Sequence, residues 1–595
     1  MATADDDCEF VGRRPTHGVF AKHMTHSVTF FDWLVVAIYL VGVTAIGFWA
    51  SRRVTSSASF FISDRAFGKI FMTFLQFGTG TQSDDAVSVA SKTFTNGVSG
   101  IWYQWLWLPV TPFYWIIGVL IRRLRAVTFA DYYEKRYDRS VAVLYAALGL
   151  LQLIAVIGLM LKGTAVTLEA ITGGQVTERW AIAFIGLLFV VYGTPGGLTA
   201  TILTDFLQGL LIIAFSVVIF PFALFQVGGM TGIRHAVDNP ESVFSLVAPG
   251  DISLFYISVL SINALIGFMT SPTAIVTGAG QTEMQSRFGL VAGSVMKRFC
   301  TIAWTLTGLC GIVVYAGQDI DPDKTYGMMA HDILPGISPG LLGLFIAGML
   351  AAQMSTCSAS MVCASGLFTR NIYKPFVQPN REDHHYIFVG RIAAVAVVLI
   401  SLFYAYRLDS VIKGLELFWE ISAVMGATAW VGFFWRRATV AGAWAGTLTT
   451  FAIWVFMQDI DFGIWKWDFN ARFAQHLPDF MLRNEMLYKP WHMICYLAAG
   501  LVALIAVSLT TPRRPSRKLD DFYACLRTPV DVSEPEGEPC TLPDGVAPAP
   551  RHVLLNHPDF EIPVPSAETV MGFVITWGIV GLIVLTSVWI FSLGS

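Results

Sequence analysis

Charge is scarce in this 595-residue chain: 14% of its residues are Asp, Glu, Lys or Arg, against about 25% in a soluble globular protein. That shortage excludes an ordinary water-soluble domain. Paired cysteines are missing as well. The eight cysteines show no paired spacing, no zinc spacing and no redox Cys-x-x-Cys, so neither a disulfide framework nor a metal-stabilised module is expected. Cys300, Cys310, Cys357, Cys363 and Cys495 sit in apolar runs as small hydrophobes. No cleavable signal pattern opens the chain, whose first 30 residues are polar and mixed in charge. No nucleophile with a base and no metal cluster is visible, so an intramembrane enzyme is not expected, nor an organic cofactor. A net charge of −3 says little about partners; no nucleic acid and no obligate protein partner is expected.

Long apolar runs take up the space that charge leaves. Hydrophobic residues make up 54% of the chain, and the runs are long enough to cross about 30 Å of hydrocarbon. The expected fold is an all-α polytopic integral membrane protein in the cell membrane, with the lipid bilayer as its solvent. About 14 transmembrane helices are predicted, over 31–51, 70–90, 100–121, 140–172, 180–196, 201–226, 252–275, 299–317, 340–368, 387–406, 412–434, 440–457, 491–510 and 569–592. Arg52-Arg53, Arg122-Arg123, Lys297-Arg298, Arg436-Arg437 and Arg513-Arg514 then fall on one side. With about 25 basic residues there against about 13 opposite, that side is expected to be cytoplasmic and both termini extracytoplasmic.

The organisation follows from these runs. An extracytoplasmic segment 1–30 precedes a peripheral first helix at 31–51. Two groups of five helices, 70–226 and 252–434, come next; an odd number per group inverts the second copy relative to the first, an architecture of many secondary transporters. Two additional helices over 440–510 flank an aromatic-rich outer loop, 458–490. Residues 511–568 are polar and proline-rich, which predicts a mostly extended cytoplasmic linker, and 569–592 is a final peripheral helix.

Chemistry concentrates in Gly343–Pro375, above all in Ala351-Ala352-Gln353-Met354-Ser355-Thr356. Helical geometry puts position 352 one turn from 355 and 356, so a carbonyl and two hydroxyls can converge. Such an uncharged oxygen cluster suits a weakly held hard cation such as Na⁺; alternatively, the hydroxyls bond back to their own helix and let neighbours approach. The second span contains Phe77-Gly78-Thr79-Gly80-Thr81-Gln82-Ser83-Asp84-Asp85, poor continuous helix. A discontinuous helix there would offer its termini as ligands; the alternative is a helix that begins near Ser83 with Asp84 and Asp85 capping in water. Asp205 and Gln208 share a face after the turn at Tyr192–Gly197: Asp205 either guards the inner mouth of an ion path or caps its helix. Asp84, Asp85, Gln104 and Glu420 are the candidate solute-binding residues, with Lys162 a candidate counter-ion and Glu416 a candidate partner of Lys413. His384-His385, in a polar loop, reads as solvated.

Several of these segments, in this order, resemble the sodium/solute symporter family. Gly343–Pro375 is similar to the family's ninth-span block, with Asn371-Ile372-Tyr373 where Asp-Ile-Tyr is commoner. Gly196-Gly197-Leu198 through Thr204-Asp205 and Gln208, and Trp435-Arg436-Arg437-Ala438-Thr439 running into Gly442-Ala443, are the other matching blocks. The resemblance covers about residues 30–510 and implies a five-plus-five inverted-repeat core like the leucine-transporter fold, with Na⁺-coupled solute uptake by alternating access. It also implies a sodium site in which Ala352, Ser355 and Thr356 act with carbonyls at Thr79 and Gln82, and it matches Asp205 to the acid of the sodium path. The sugar-carrying branch often has Tyr-Glu-Trp where this chain has Tyr103-Gln104-Trp105, and the aromatic platform expected for a sugar gives way to Asn263-Ala264-Leu265-Ile266. A sugar is therefore disfavoured. The expected function is import of a small polar solute with Na⁺; the alternatives are a transporter-like membrane sensor and a proton-coupled symporter of the same fold.

Overall fold

The computed structural model describes residues 28–51, 68–193, 197–248, 250–278, 280–461, 466–513, 515–531, 534 and 537–594. The segment before residue 28, Arg52-Arg53, the tip of the turn at 194–196, Trp465 and Arg514 lie outside the described residues. The structure is predominantly helical. Its principal helices are α1 (Phe30–Ser51), α2 (Lys69–Thr79), α3 (Ser83–Asn96), α4 (Thr111–Arg123), α5 (Phe129–Arg136), α6 (Arg139–Ile171), α7 (Glu178–Gly193) and α8 (Gly197–Val217). Then follow α9 (Leu254–Thr270), α10 (Pro272–Thr277), α11 (Glu283–Val314), α12 (Leu341–Phe368), α13 (Asp383–Ala405), α14 (Val411–Ala423) and α15 (Gly426–Phe434). The chain continues through α16 (Val440–Phe456), α17 (Lys489–Thr510), α18 (Ser516–Arg527) and α19 (Ala567–Ser592). Among the described residues, eight helical stretches are long and apolar enough to cross a membrane. Among the described residues, strand is confined to two short antiparallel pairs in the 458–490 loop, pairing Ile460 with Trp467 and Leu482 with Leu487.

Helix α12 lies at the centre, packed against α1, α6, α8 and α13, with nearly every side chain buried. Small residues make this possible. A Cβ on Gly348 would stand 2.7 Å from the Leu211 carbonyl oxygen of α8, so only glycine lets the two backbones meet. Helix α11 forms a second axis against α2, α3 and α4.

Two helices are interrupted where they approach this centre. Between α2 and α3 the chain leaves helical geometry at Gly80–Gln82, and α3 restarts with a reciprocal capping box between Gln82 and Asp85. Between α9 and α10, Ser271 turns the chain before Pro272, whose ring supplies no N–H to continue the ladder.

The sequence reading requires correction at two places. Lys297-Arg298 do not lie in a cytoplasmic loop: α11 begins at Glu283, not near 299, and holds the pair mid-helix with 8% and 3% exposure. Lys297 is met by Asp85 and the Gly80 carbonyl, and Arg298 by a single backbone carbonyl, that of Gln104, so the pair does not end the span. Nor is 511–568 a free linker, although its described residues before α19 and outside 516–527 form no helix or strand. Its helix α18 buries Leu519, Phe522, Tyr523 and Cys525. Tyr523 donates to the Gly432 carbonyl at 2.8 Å, beside Arg136, which donates to the carbonyls of Gly432 (2.8 Å), Trp435 (2.7 Å) and Ala438 (3.2 Å). The segment stays down because it is stapled by charge as well. Buried Glu561 accepts from Arg436 (2.7 Å), Arg551 (3.1 Å) and Arg527 (3.2 Å), and Glu534 accepts from Arg125 through two hydrogen bonds of 2.7 and 2.8 Å.

Partial burial opposes ionisation of Glu534, but the hydrogen bonds and charge of Arg125 outweigh it and hold the carboxyl below the usual glutamate range. A depressed folded-state pKa contributes stability that is present above the unfolded value and is lost as pH falls through the folded one. Replacing Glu534→Gln is expected to destabilise the protein by about 1.5 kcal/mol near neutral pH. It should also flatten the acid limb of a melting-temperature profile, which thermal unfolding across pH would show.

Candidate functional site

The break between α2 and α3 strands backbone groups that a continuous helix would have satisfied, and neighbouring helices take them up. Thr356 of α12 donates its hydroxyl among three carbonyl oxygens: Thr79 at 3.1 Å, Gly78 at 3.2 Å and, one turn back on its own helix, Ala352 at 3.4 Å. Adjacent Ser355 donates to Asp205 of α8 at 2.7 Å. Ala352, Ser355 and Asp205 are fully buried, with Thr356 at 2% and Thr79 at 5% exposure. A Cβ on Gly78 would lie 2.6 Å from the Ser355 hydroxyl. The broken helix therefore reaches α12 only because that position is glycine.

On the other side of the break lies a cavity of about 140 Å³ walled by the α2–α3 junction, α6, α9, α11 and α14. Asp85 and Lys297 meet there at 2.7 Å, and Lys297 also donates to the Gly80 carbonyl. Arg298 donates to the Gln104 backbone carbonyl. Asp84, 1% exposed, has one carboxylate oxygen with no partner, and both side-chain polar atoms of Gln104 are unpartnered. Trp107, Val156, Leu159, Phe268 and Phe418 supply the apolar wall.

The sequence candidates divide accordingly. Ala352, Ser355, Thr356, Thr79 and Asp205 converge. Gln82 lines the cavity, and its N–H is used in the cap on Asp85 at 2.8 Å; Gly78 supplies the second carbonyl on the Thr356 hydroxyl. Asp84, Asp85 and Gln104 line the cavity; α3 does begin at Ser83 with Asp85 in its cap, but both aspartates are buried in the protein interior rather than in water. Asp205 lies two turns inside α8, which begins at Gly197, so it is not an N-terminal cap.

Glu420 goes elsewhere. Buried to 1%, it accepts from Lys489 at 2.8 Å, Trp454 at 2.8 Å and Gln458, with His492 at 3.4 Å. Four donors contributed by the chain beyond α15 occupy its carboxylate, so its role as a solute contact is not supported. Lys413 pairs with Asp409 at 3.2 Å rather than with Glu416, which meets Lys489 at 3.4 Å, and Lys162 pairs with Glu178 at 2.8 Å.

Sequence reasoning missed Gly78, Gln353, Lys297 and Arg298 as site residues. Gln353 donates to Ser83 and to the Met160 carbonyl, tying α12 to α3 and α6. A signal for the basic pair existed. Thr282-Glu283-Met284-Gln285 is a capping box that places the start of α11 four turns before Lys297.

The chain belongs to the sodium:solute symporter family, whose model matches residues 60–450; this is a family of transporters, not enzymes, and the chain is a multi-pass membrane protein. The sodium/glucose cotransporter of Vibrio parahaemolyticus is 20% identical over 479 residues, 73% of this chain and 87% of that protein. The high-affinity proline transporter PutP of Bacillus subtilis is 26% identical over 513 residues, covering 80% and 98%. The sodium/pantothenate symporter of Escherichia coli is 23% identical over 445 residues, covering 69% and 87%. Among solved structures, a Na⁺-coupled sialic acid symporter in a substrate-bound outward-open state shares the fold, with a TM-score of 0.68 at 18% identity over 82% of this chain and 99% of that one.

Lys297 and Asp85 are buried together, so removing one partner leaves an uncompensated charge. Asp85→Asn and Lys297→Met are each expected to destabilise by about 3–5 kcal/mol, and the double variant by clearly less than their sum. Thermal unfolding of the three purified variants measures this.

Proposed function

We propose that this chain is a Na⁺-coupled secondary active transporter that imports a small polar solute by alternating access. The observation that supports this most is the position of the Thr356 hydroxyl, buried among the carbonyls of Ala352, Gly78 and Thr79 across a helix break. With the Ser355 hydroxyl alongside, these are neutral oxygens from two elements, the donor set a hard, weakly held cation takes. The proposed sodium-binding residues are Ala352, Ser355, Thr356 and Thr79, with Gly78 added by geometry. Asp205, hydrogen-bonded to Ser355, is the proposed gatepost of the ion path.

The cycle follows from linkage. Na⁺ among these oxygens joins α2 to α12, and it biases the protein only by the difference in its affinity for the joined and separated arrangements. The cavity across the break lies against the same backbone turn, so solute binding and ion binding favour one another. Release of Na⁺ past Asp205 then frees α2 and lets the solute leave on the opposite side. The breaks at Gly80–Gln82 and at Ser271 open the first helix of each proposed five-helix group, 70–226 and 252–434. That symmetry supports an inverted-repeat core within about 14 spans. Arg122, Arg123, Arg125, Arg436 and Arg513 collect at the end where residues 513–561 pack. This supports a cytoplasmic position for that end, with both termini outside the cell membrane.

A proton-coupled cycle is the second reading. It is favoured by one observation, the partnerless carboxylate oxygens of Asp84 and Asp205.

Uptake by proteoliposomes loaded under a Na⁺ gradient decides between them. Thr356→Ala is expected to raise the Na⁺ concentration for half-maximal uptake about tenfold or more, while Thr356→Ser, which keeps the hydroxyl, stays near wild type. Uptake driven by a proton gradient in Na⁺-free buffer, unaffected by Thr356→Ala, would establish the second reading.

A further inference from the structure

We propose that the solute carries a carboxylate and that Arg298 of α11 recognises it. This rests on reading the cavity as the transport site. Arg298 is 3% exposed and stands in the cavity wall. Its Nη1 donates to the Gln104 backbone carbonyl, its Nε has no hydrogen-bond partner, and among the described residues no carboxylate pairs with it. Asp85 is taken by Lys297 at 2.7 Å. A guanidinium cannot shed its charge by losing a proton at accessible pH. Burying one without an anion is costly, and that cost is relieved when a carboxylate enters, because the planar fork meets two carboxylate oxygens at once.

The surroundings narrow the class further. Gln104, whose backbone carbonyl accepts from Arg298, lines the same cavity, and its unpartnered side-chain amide is a second donor available there. Asp84, with its own partnerless oxygen, and Gln152, whose amide nitrogen is also unpartnered, face the same cavity. The Asp84 oxygen suits a hydroxyl or ammonium group on the remainder of the solute, and the Gln152 amide nitrogen suits a hydroxyl or carbonyl oxygen there. Trp107, Phe268 and Phe418 line the apolar side, which favours an organic anion over a fully hydrated inorganic one. The cavity, about 140 Å³, has room for roughly five waters or one benzene-sized molecule, which limits the solute to a small number of heavy atoms. A small organic monocarboxylate meets each condition.

The test is thermal unfolding of the purified full chain, titrated in Na⁺ and separately in K⁺ with propionate, L-lactate, L-alanine and benzoate. Each acid is set beside its uncharged-end counterpart: propionamide, lactamide, alaninamide and benzamide. At least one acid is expected to raise the melting temperature saturably while its amide does not. Arg298→Gln should weaken that acid about 30-fold or more, and Arg298→Lys should recover part of the loss. Stabilisation by Na⁺ alone, retained in Arg298→Gln, shows that the variant is folded and that the sodium site is intact. The proposal is overturned if no acid stabilises, if an amide binds as well as its acid, or if Arg298→Gln binds the acid as wild type does. A wild type that does not respond to Na⁺ would instead remove the sodium reading, and the K⁺ titration would still decide the carboxylate.

Discussion

A helix broken inside a membrane exposes carbonyls and amides where no bulk water can reach them, and the interior of this protein is arranged around meeting that demand. The Thr81 N–H returns to the Gly78 carbonyl at 3.3 Å, and the Gln82 N–H goes to Asp85. The Gly78 and Thr79 carbonyls are met by Thr356, and the Gly80 carbonyl by Lys297. The partners come from α2 and α3 on either side of the break, from α12 and from α11. None of these helices can move far from the break without leaving a buried polar group unpaired, at about 1–3 kcal/mol each. The same contacts are weak enough to be exchanged for a cation or lost to water when a path opens, which is what a transport cycle needs.

Charge in the interior follows a second pattern. Glu420, Glu561 and Glu534 are each surrounded by cations or donors, and their roles are structural. They fasten α14 to α17 and the 513–561 segment to the helix ends. Around the cavity the accounts are left open: Asp85 and Lys297 cancel one another, while Asp84 and Arg298 lack fixed ion-pair partners. An unpaired buried guanidinium is expensive in a static protein and appropriate where a ligand is meant to complete it. The contrast between Glu420 and Arg298 separates fastening from recognition more sharply than their residue types do.

Much of this was legible in the chain before any coordinates. The glycine-threonine alternation at 78–81 announced the break, and the spacing of Ala352, Ser355 and Thr356 placed their oxygens on one side of a helix. What sequence could not supply was the partner across space. Glu420 looked like a solute ligand because Lys489, 69 residues later, was invisible to local pattern. Lys297-Arg298 looked like a cytoplasmic flank because basic pairs beside apolar runs usually are, whereas here Asp85, far upstream, neutralises one of them inside the protein. The proline-rich segment read as extended because its polar average hid a 12-residue amphipathic helix with Phe522 and Tyr523 on its buried face.

Hydrogen–deuterium exchange of the purified protein in Na⁺ and in K⁺ at equal ionic strength tests the central claim, that Na⁺ joins the break in α2–α3 to α12. The account predicts that Na⁺ slows exchange in peptides covering 77–86 and 350–358, with little change in α16 and α17. Exchange in those two peptides that is the same in Na⁺ and K⁺ would contradict it.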